Sequence, residues 1–242
     1  MFFLISGEGK TDMGQCAFGH SRCTGSEFHP GPMGLILDRM LEDVVGYSPL
    51  GTQAMEFVSE HEVASVSRNL PQRFPGKKNE LETGFFFKNA RALAWLAKEK
   101  STAETDAPVA AVLFRDADGT VSQGRRNFEK KWQSMMNGFG AEGFTFGVPM
   151  IPNPKSEAWL LCALRDDKSH DCASLESTLS GNDKAPNSAK TQLDAALEKL
   201  GKTTSDLQAM IMDGALDPGV IAMPSFNRFR DRLTAVVQDM QS

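Results

Sequence analysis

Two stretches of unbroken apolar sequence, Met1-Phe2-Phe3-Leu4-Ile5 and Val109-Ala110-Ala111-Val112-Leu113-Phe114, each run directly into a short acidic turn. Runs of this length without polar alternation read as strands buried on both faces, the pattern of a central parallel strand. Helical periodicity fills the intervals. Leu35, Ile36, Leu37, Met40, Leu41, Val44 and Val45 form an apolar stripe after Pro30-Gly31-Pro32, closed by Gly46. Phe85 to Leu96 repeats the pattern, and a polar linker from Ser101 to Asp106 follows. Phe128, Trp132, Met135, Met136 and Phe139 mark one face of a further helix. Phe144 to Pro152 predicts a third strand, and Lys155 to Leu164 a helix opened by Asn153-Pro154.

Alternating strands and helices predict an α/β fold, a mostly parallel sheet with helices on both faces. After Arg165 the composition turns to Ser, Asp, Asn and Lys, then to helices around 193–200, 207–212 and 226–240. The expected organisation is a domain over 1–165 and a helical C-terminal region over 166–242 packed on it. No internal repeat is visible.

Apolar residues make up 40 % of the 242 and charged residues 24 %, so a core and a hydrated surface can both form. Collagen-like, mucin-like and acidic low-complexity classes are excluded. With 26 basic and 31 acidic residues the net charge is −5, so contact with nucleic acid must rest on local patches. Four cysteines and no leader-like start argue against a secreted disulfide scaffold and make the cytoplasm the expected compartment. No apolar run is long enough to span a membrane.

The chemistry concentrates at the strand ends. Glu8 and Asp12 follow the first strand, and Asp116 and Asp118 follow the second. Roughly a hundred residues separate the two groups, yet a parallel sheet can set such ends side by side. Crowded carboxylates require cations, and hard ions such as Mg²⁺ or Mn²⁺ take a few carboxylates together with phosphate oxygens. The implied substrate is a phosphate ester. Taken alone, an Asp-x-Asp-Gly after a strand is most often an ordinary turn.

In combination, a first strand ending in Glu-Gly with an acid four residues after the Glu, and a later strand ending in Asp-x-Asp, resembles the TOPRIM fold of topoisomerases, primases and overcoming-lysogenization-defect (OLD) nucleases. Ile151-Pro152-Asn153-Pro154-Lys155-Ser156-Glu157-Ala158-Trp159 is similar to the Pro-x-Pro-x-x-Glu-Ala-Trp stretch of small standalone TOPRIM-like bacterial proteins, several of which sit beside ATPase genes in defence loci. Lys190 and Pro224-Ser225-Phe226 are similar to that group at a lower level. The resemblance implies that Glu8, Asp116 and Asp118 handle Mg²⁺ or Mn²⁺ in phosphodiester chemistry, that Asp12 is the second acid of the first motif, and that Glu157 joins them. At a helix N-terminus Glu157 would also serve as a simple cap. Compared with a compact TOPRIM domain, the acidic motifs are far apart, which predicts an insertion at about 13–107.

Other readings stay open. Gly9-Lys10-Thr11 completes a phosphate-binding loop, but the required first glycine falls on Leu4, inside the strand. Cys16, His20, Cys23 and His29 could hold zinc, although their spacings match no common finger. Cys162 and Cys172 read as structural. Arg68, Arg73, Lys77 and Lys78 predict a basic loop, and Arg125, Arg126, Lys130 and Lys131 a basic helix face; each could hold a phosphate backbone or simply be solvated. Lys10 and Lys155 flank the acids and could pair with them or with phosphate. The expected activity is metal-dependent hydrolysis of nucleic acid, DNA favoured over RNA, with an ATPase partner by analogy and a homo-oligomer open. The alternatives are a non-catalytic metal-binding subunit of an ATPase complex, or a nucleotide-binding phosphoryl transferase.

Overall fold

The computed structural model describes residues 1–71, 81–103, 105–117, 128–165 and 172–242. Along these residues run β1 (Phe2–Gly7), β2 (Gly14–Cys16), β3 (Arg22–Thr24), β4 (Phe28–Pro30), α1 (Pro32–Val45), β5 (Met55–Val58), α2 (Glu60–Asn69), α3 (Leu81–Ala103), β6 (Val109–Phe114), α4 (Phe128–Ala141), β7 (Gly147–Met150) and α5 (Ser156–Ala163). The C-terminal region holds α6 (Leu175–Thr178), α7 (Ala189–Lys199), α8 (Leu207–Met212) and α9 (Pro224–Gln241).

Five strands form one sheet in the order β3-β5-β1-β6-β7. β1 pairs in parallel with β5 and β6, β6 with β7, and only the edge strand β3 runs antiparallel. The fold is therefore α/β with a mostly parallel sheet and a helical C-terminal region, as the apolar runs predict. Alternation along each strand sends side chains to opposite faces. Phe3, Ile5, Ala110, Val112, Phe114, Val148 and Met150 join a core built with α1, α5, α7, α8 and α9. Leu4, Val109, Ala111 and Leu113 join a second core with α2, α3 and α4.

The stretch from 13 to 107, expected as an insertion, contains β5, the strand paired with β1. A buried ion triad explains how β5 carries an acid inside the sheet: Glu56 is paired with Arg22 and Lys100, each at 2.6 Å. β2 and β4 form a separate antiparallel pair. The third strand is shorter than expected, and α5 begins at Ser156 with Lys155 before it, two residues beyond Pro154. Pro149 lies within β7, which sits at the sheet edge, where a missing N–H is tolerated.

The structure corrects the expectation of unpaired cysteines and keeps Cys162 and Cys172 in a structural role. Cys16 pairs with Cys23 and Cys162 with Cys172, so all four are in disulfides. The pairs are close in sequence and each closes a short loop, so cysteine scarcity gave no guide to oxidation state. A second correction concerns Lys131, expected on a solvated basic face: it is fully buried, whereas Lys130 is exposed. Arg68 is exposed in the last turn of α2; Arg73, Lys77, Lys78, Arg125 and Arg126 lie outside the described residues. Among the described residues no helix is long and apolar enough to cross a membrane.

The C-terminal helices are anchored through Trp159 of α5. Its ring meets Phe226 edge-on at 4.9 Å and stacks on Phe229 at 5.8 Å, while Nε1 donates to Ser225 Oγ at 2.9 Å. Trp159→Ala would open a cavity between α5 and α9, and denaturant unfolding is expected to show a loss of about 3–5 kcal/mol. A loss under 1 kcal/mol would mean that α9 is held elsewhere.

Candidate functional site

β1 and β6 are neighbours in register, with Gly7 opposite Phe114, so the residues leaving their carboxyl ends emerge together. Counting only parallel strands, chain order across the sheet is second, first, third, fourth. The order reverses between β1 and β6, and helices on opposite faces leave a crevice at such a point. Glu8 and Asp116 stand there.

Glu8 Oε1 accepts the Asp116 backbone N–H at 2.9 Å, and Oε2 pairs with Arg115 at 2.9 Å. Arg115 also reaches Glu60 at 3.5 Å. After Glu8 the chain makes one wide helical turn, Gly9–Met13, that brings Asp12 back toward the site. Gly9 has φ +80°, and a Cβ there would collide with the Asp12 carboxylate, so the turn needs glycine. The turn passes into β2 rather than opening a long helix, so Gly9-Lys10-Thr11 lacks the helix N-terminus of a phosphate-binding loop.

The third element is the start of α5. Ser156 N–H donates to Asp116 Oδ1 at 2.9 Å. Ser156 Oγ lies 3.4 Å from Asp12 Oδ1 and 3.4 Å from Glu157 Oε2, and its single proton can serve one at a time. Asp116, Asp12 and Glu157 thus gather about one buried serine. Ser156 lies inside the Pro-x-Pro-x-x-Glu-Ala-Trp stretch, and its place at the first residue of a helix following a strand is the signal that the sequence holds for it. Asp118 lies outside the described residues.

Burial pushes the Glu157 carboxyl above the ordinary glutamate range, with Asp12 and Asp183 adding to the shift and Lys155 opposing it. Lys155 pairs with Asp183 at 2.9 Å. Behind the acids, the buried Lys131 ammonium donates to the carbonyl of Ala117, the residue between Asp116 and Asp118. That contact, from a residue expected on the surface, holds the backbone of the residue that follows Asp116.

The donors here are all hard oxygens, the chemistry suited to Mg²⁺ or Mn²⁺. Asn153 Oδ1 adds a buried oxygen without a hydrogen-bond partner in the segment leading into Ser156. Among the described residues, no three His, Cys, Asp or Glu side chains are closed into a ready ligand shell. Arg115 and Ser156 hold the carboxylates near one another instead. The suggested zinc set fits less well, because Cys16 and Cys23 are bonded to each other and present no thiolates; His20 lies 3.7 Å from Glu27.

The fold and site define an α/β protein that collects carboxylates at the carboxyl ends of parallel strands, where strand order reverses. No protein-family model, curated protein or solved structure matches the chain.

Because the folded-state pKa of Glu157 is raised, its contribution favours folding below the unfolded value and is lost as pH rises through the folded one. Glu157→Gln is therefore expected to match the wild type in stability near pH 4 and to gain on it progressively at higher pH. Urea unfolding at pH 4, 6 and 8 checks this; a gap independent of pH would show that ionisation of Glu157 costs the fold nothing.

Proposed function

We propose that the chain is a TOPRIM-like, divalent-metal-dependent nuclease that hydrolyses phosphodiester bonds. The observation that carries the reading is the meeting of Glu8 with Asp116 across adjacent strands, joined by Asp12 and Glu157 at the start of α5. Four acids from three separate segments of the chain gather at a crevice, a concentration of negative charge that a bound cation would offset. The resemblance of the Glu-Gly, Asp-x-Asp and Pro-x-Pro-x-x-Glu-Ala-Trp motifs to TOPRIM-like proteins points the same way.

Asp116 and Asp12, with Asp118, are the residues that would hold Mg²⁺ or Mn²⁺. When bound, such an ion makes a nucleophilic water available at neutral pH and neutralises charge on phosphate. Glu8 orients Asp116 through its backbone N–H and keeps Arg115 beside the site, where the guanidinium can pair with a phosphate oxygen. Glu157, its proton held more tightly by burial, is suited to protonate the departing oxygen as a general acid. Lys131 acts through the Ala117 carbonyl as a positioning residue.

DNA remains the favoured polymer over RNA, and an ATPase partner the proposed means of delivering substrate to a chain of net negative charge. The cytoplasmic expectation rests on the scarcity of cysteines, and their pairing in two disulfides removes that support, since paired cysteines favour an oxidising compartment. A non-catalytic metal-binding subunit would use the same acids without needing the raised carboxyl pKa of Glu157.

With Mg²⁺ or Mn²⁺, and with an ATPase partner where one is identified, the protein is expected to cleave nucleic acid and to lose activity in EDTA. Asp116→Ala and Glu8→Gln should each lower the rate by on the order of a hundredfold or more. Cleavage that persists in the double variant would remove these residues from the mechanism. Lys131→Met should lower kcat by roughly ten- to a hundredfold with KM little changed; a matched loss in folded protein would make its role structural only.

A further inference from the structure

A cleft of about 820 Å³ opens beside the carboxylates. Gly7, Gly9 and Glu60 form the boundary it shares with the acidic site, Glu60 being the second partner of Arg115. Lys10, His20, His29 and His61 line it, so three of the four histidines of the chain and a lysine face one hollow. Each neutral imidazole has an N–H to donate, and the lysine carries a full charge.

At the same cleft Phe18 is 92 % exposed, the most exposed large apolar side chain among the described residues. Its backbone is left-handed, at φ +56°, a conformation that bulky residues rarely adopt. The His20 ring lies 6.1 Å from the Phe18 ring, tilted by 52°. Both rings sit in the short loop closed by the Cys16–Cys23 disulfide, which ties β2 of the small sheet to β3 at the edge of the main one. The loop is thus covalently closed while its aromatic tip is left in solvent. An exposed ring on a left-handed backbone runs against both hydrophobic and backbone preference.

Aromatic faces beside basic and N–H donor groups are how proteins hold unpaired nucleotides: bases stack on rings, and the donors follow the phosphates. We propose that this cleft binds a nucleotide of single-stranded nucleic acid next to the scissile phosphate, with the base stacked on Phe18 and the phosphate held by Lys10 and the cleft histidines. The assignment deepens the nuclease reading and rests on it for the direction of the strand toward Asp116. A base within a duplex has no free face for the ring, so the site selects single strands or frayed ends.

Binding is measured in EDTA by fluorescence anisotropy of a labelled oligothymidylate, which separates affinity from cleavage. Phe18→Ala is expected to weaken binding roughly tenfold, the loss of one base stack, and Phe18→Tyr to retain it. Lys10→Ala should weaken binding and reduce the salt dependence by about one phosphate contact. Replacing both Cys16 and Cys23 by serine should also weaken it. Equal affinity for a duplex of the same length, or unchanged affinity in Phe18→Ala, overturns the proposal; so does thymidine monophosphate competing as well as the oligonucleotide, which would make the cleft a free-nucleotide site. The two readings fail separately. Metal-dependent cleavage that needs Asp116 together with affinity indifferent to Phe18 sinks the cleft alone, whereas Phe18-dependent strand binding without any cleavage supports the cleft and sinks the nuclease.

Discussion

Parallel pairing of β1 with β6 is the constraint on which the site depends. The register sets Gly7 against Phe114, and one residue later Glu8 reaches the backbone N–H of Asp116. Because strand order reverses at this pair, the crossing helices diverge and leave the carboxyl ends uncovered. A shift of one residue along β6 would turn Val112 and Phe114 from one core to the other and withdraw Asp116 from Glu8 together. Hydrophobic burial on both faces therefore sets the register that lets Glu8 accept the Asp116 N–H.

Charge is managed in layers around that pair. Arg115 balances Glu8 and Glu60, Lys155 balances Asp183, and Lys131 works from behind on the turn carrying Asp116. Asp12 and Glu157 share one serine hydroxyl, and burial favours the protonated form of Glu157. A carboxyl able to carry a proton thus stands beside carboxylates suited to a hard cation, two roles separated by environment rather than by residue type. The cleft with Phe18 and the histidines lies against the same strand ends, so the acidic site and its basic, aromatic neighbour are organised by one turn of chain after β1.

Much of this was legible in the sequence where local pattern and burial agree. The runs in β1 and β6 are apolar throughout because both faces are covered, and α1 shows its stripe between Pro32 and Gly46. β5 was not legible: it is four residues long and interrupted by Glu56, an acid that Arg22 and Lys100 neutralise within the sheet. Lys131 looked like surface because its neighbours are charged, and only the approach of α4 to the Ala117 carbonyl takes it inside. The disulfides escaped for a different reason, since spacing alone does not reveal whether two thiols can reach each other.

By itself the sequence determined the α/β class, the two central strands and the acids at their ends, because continuous apolar runs and strand-end carboxylates are local properties of the chain. Tertiary structure alone decided that Glu8 meets Asp116, that Ser156 gathers Asp12 and Glu157, that Lys131 is buried, and that Phe18 stands at the mouth of a cleft. Those contacts join residues far apart in the chain. They arise from sheet order and helix packing, which depend on how all the apolar faces are covered at once and are not encoded in any single segment.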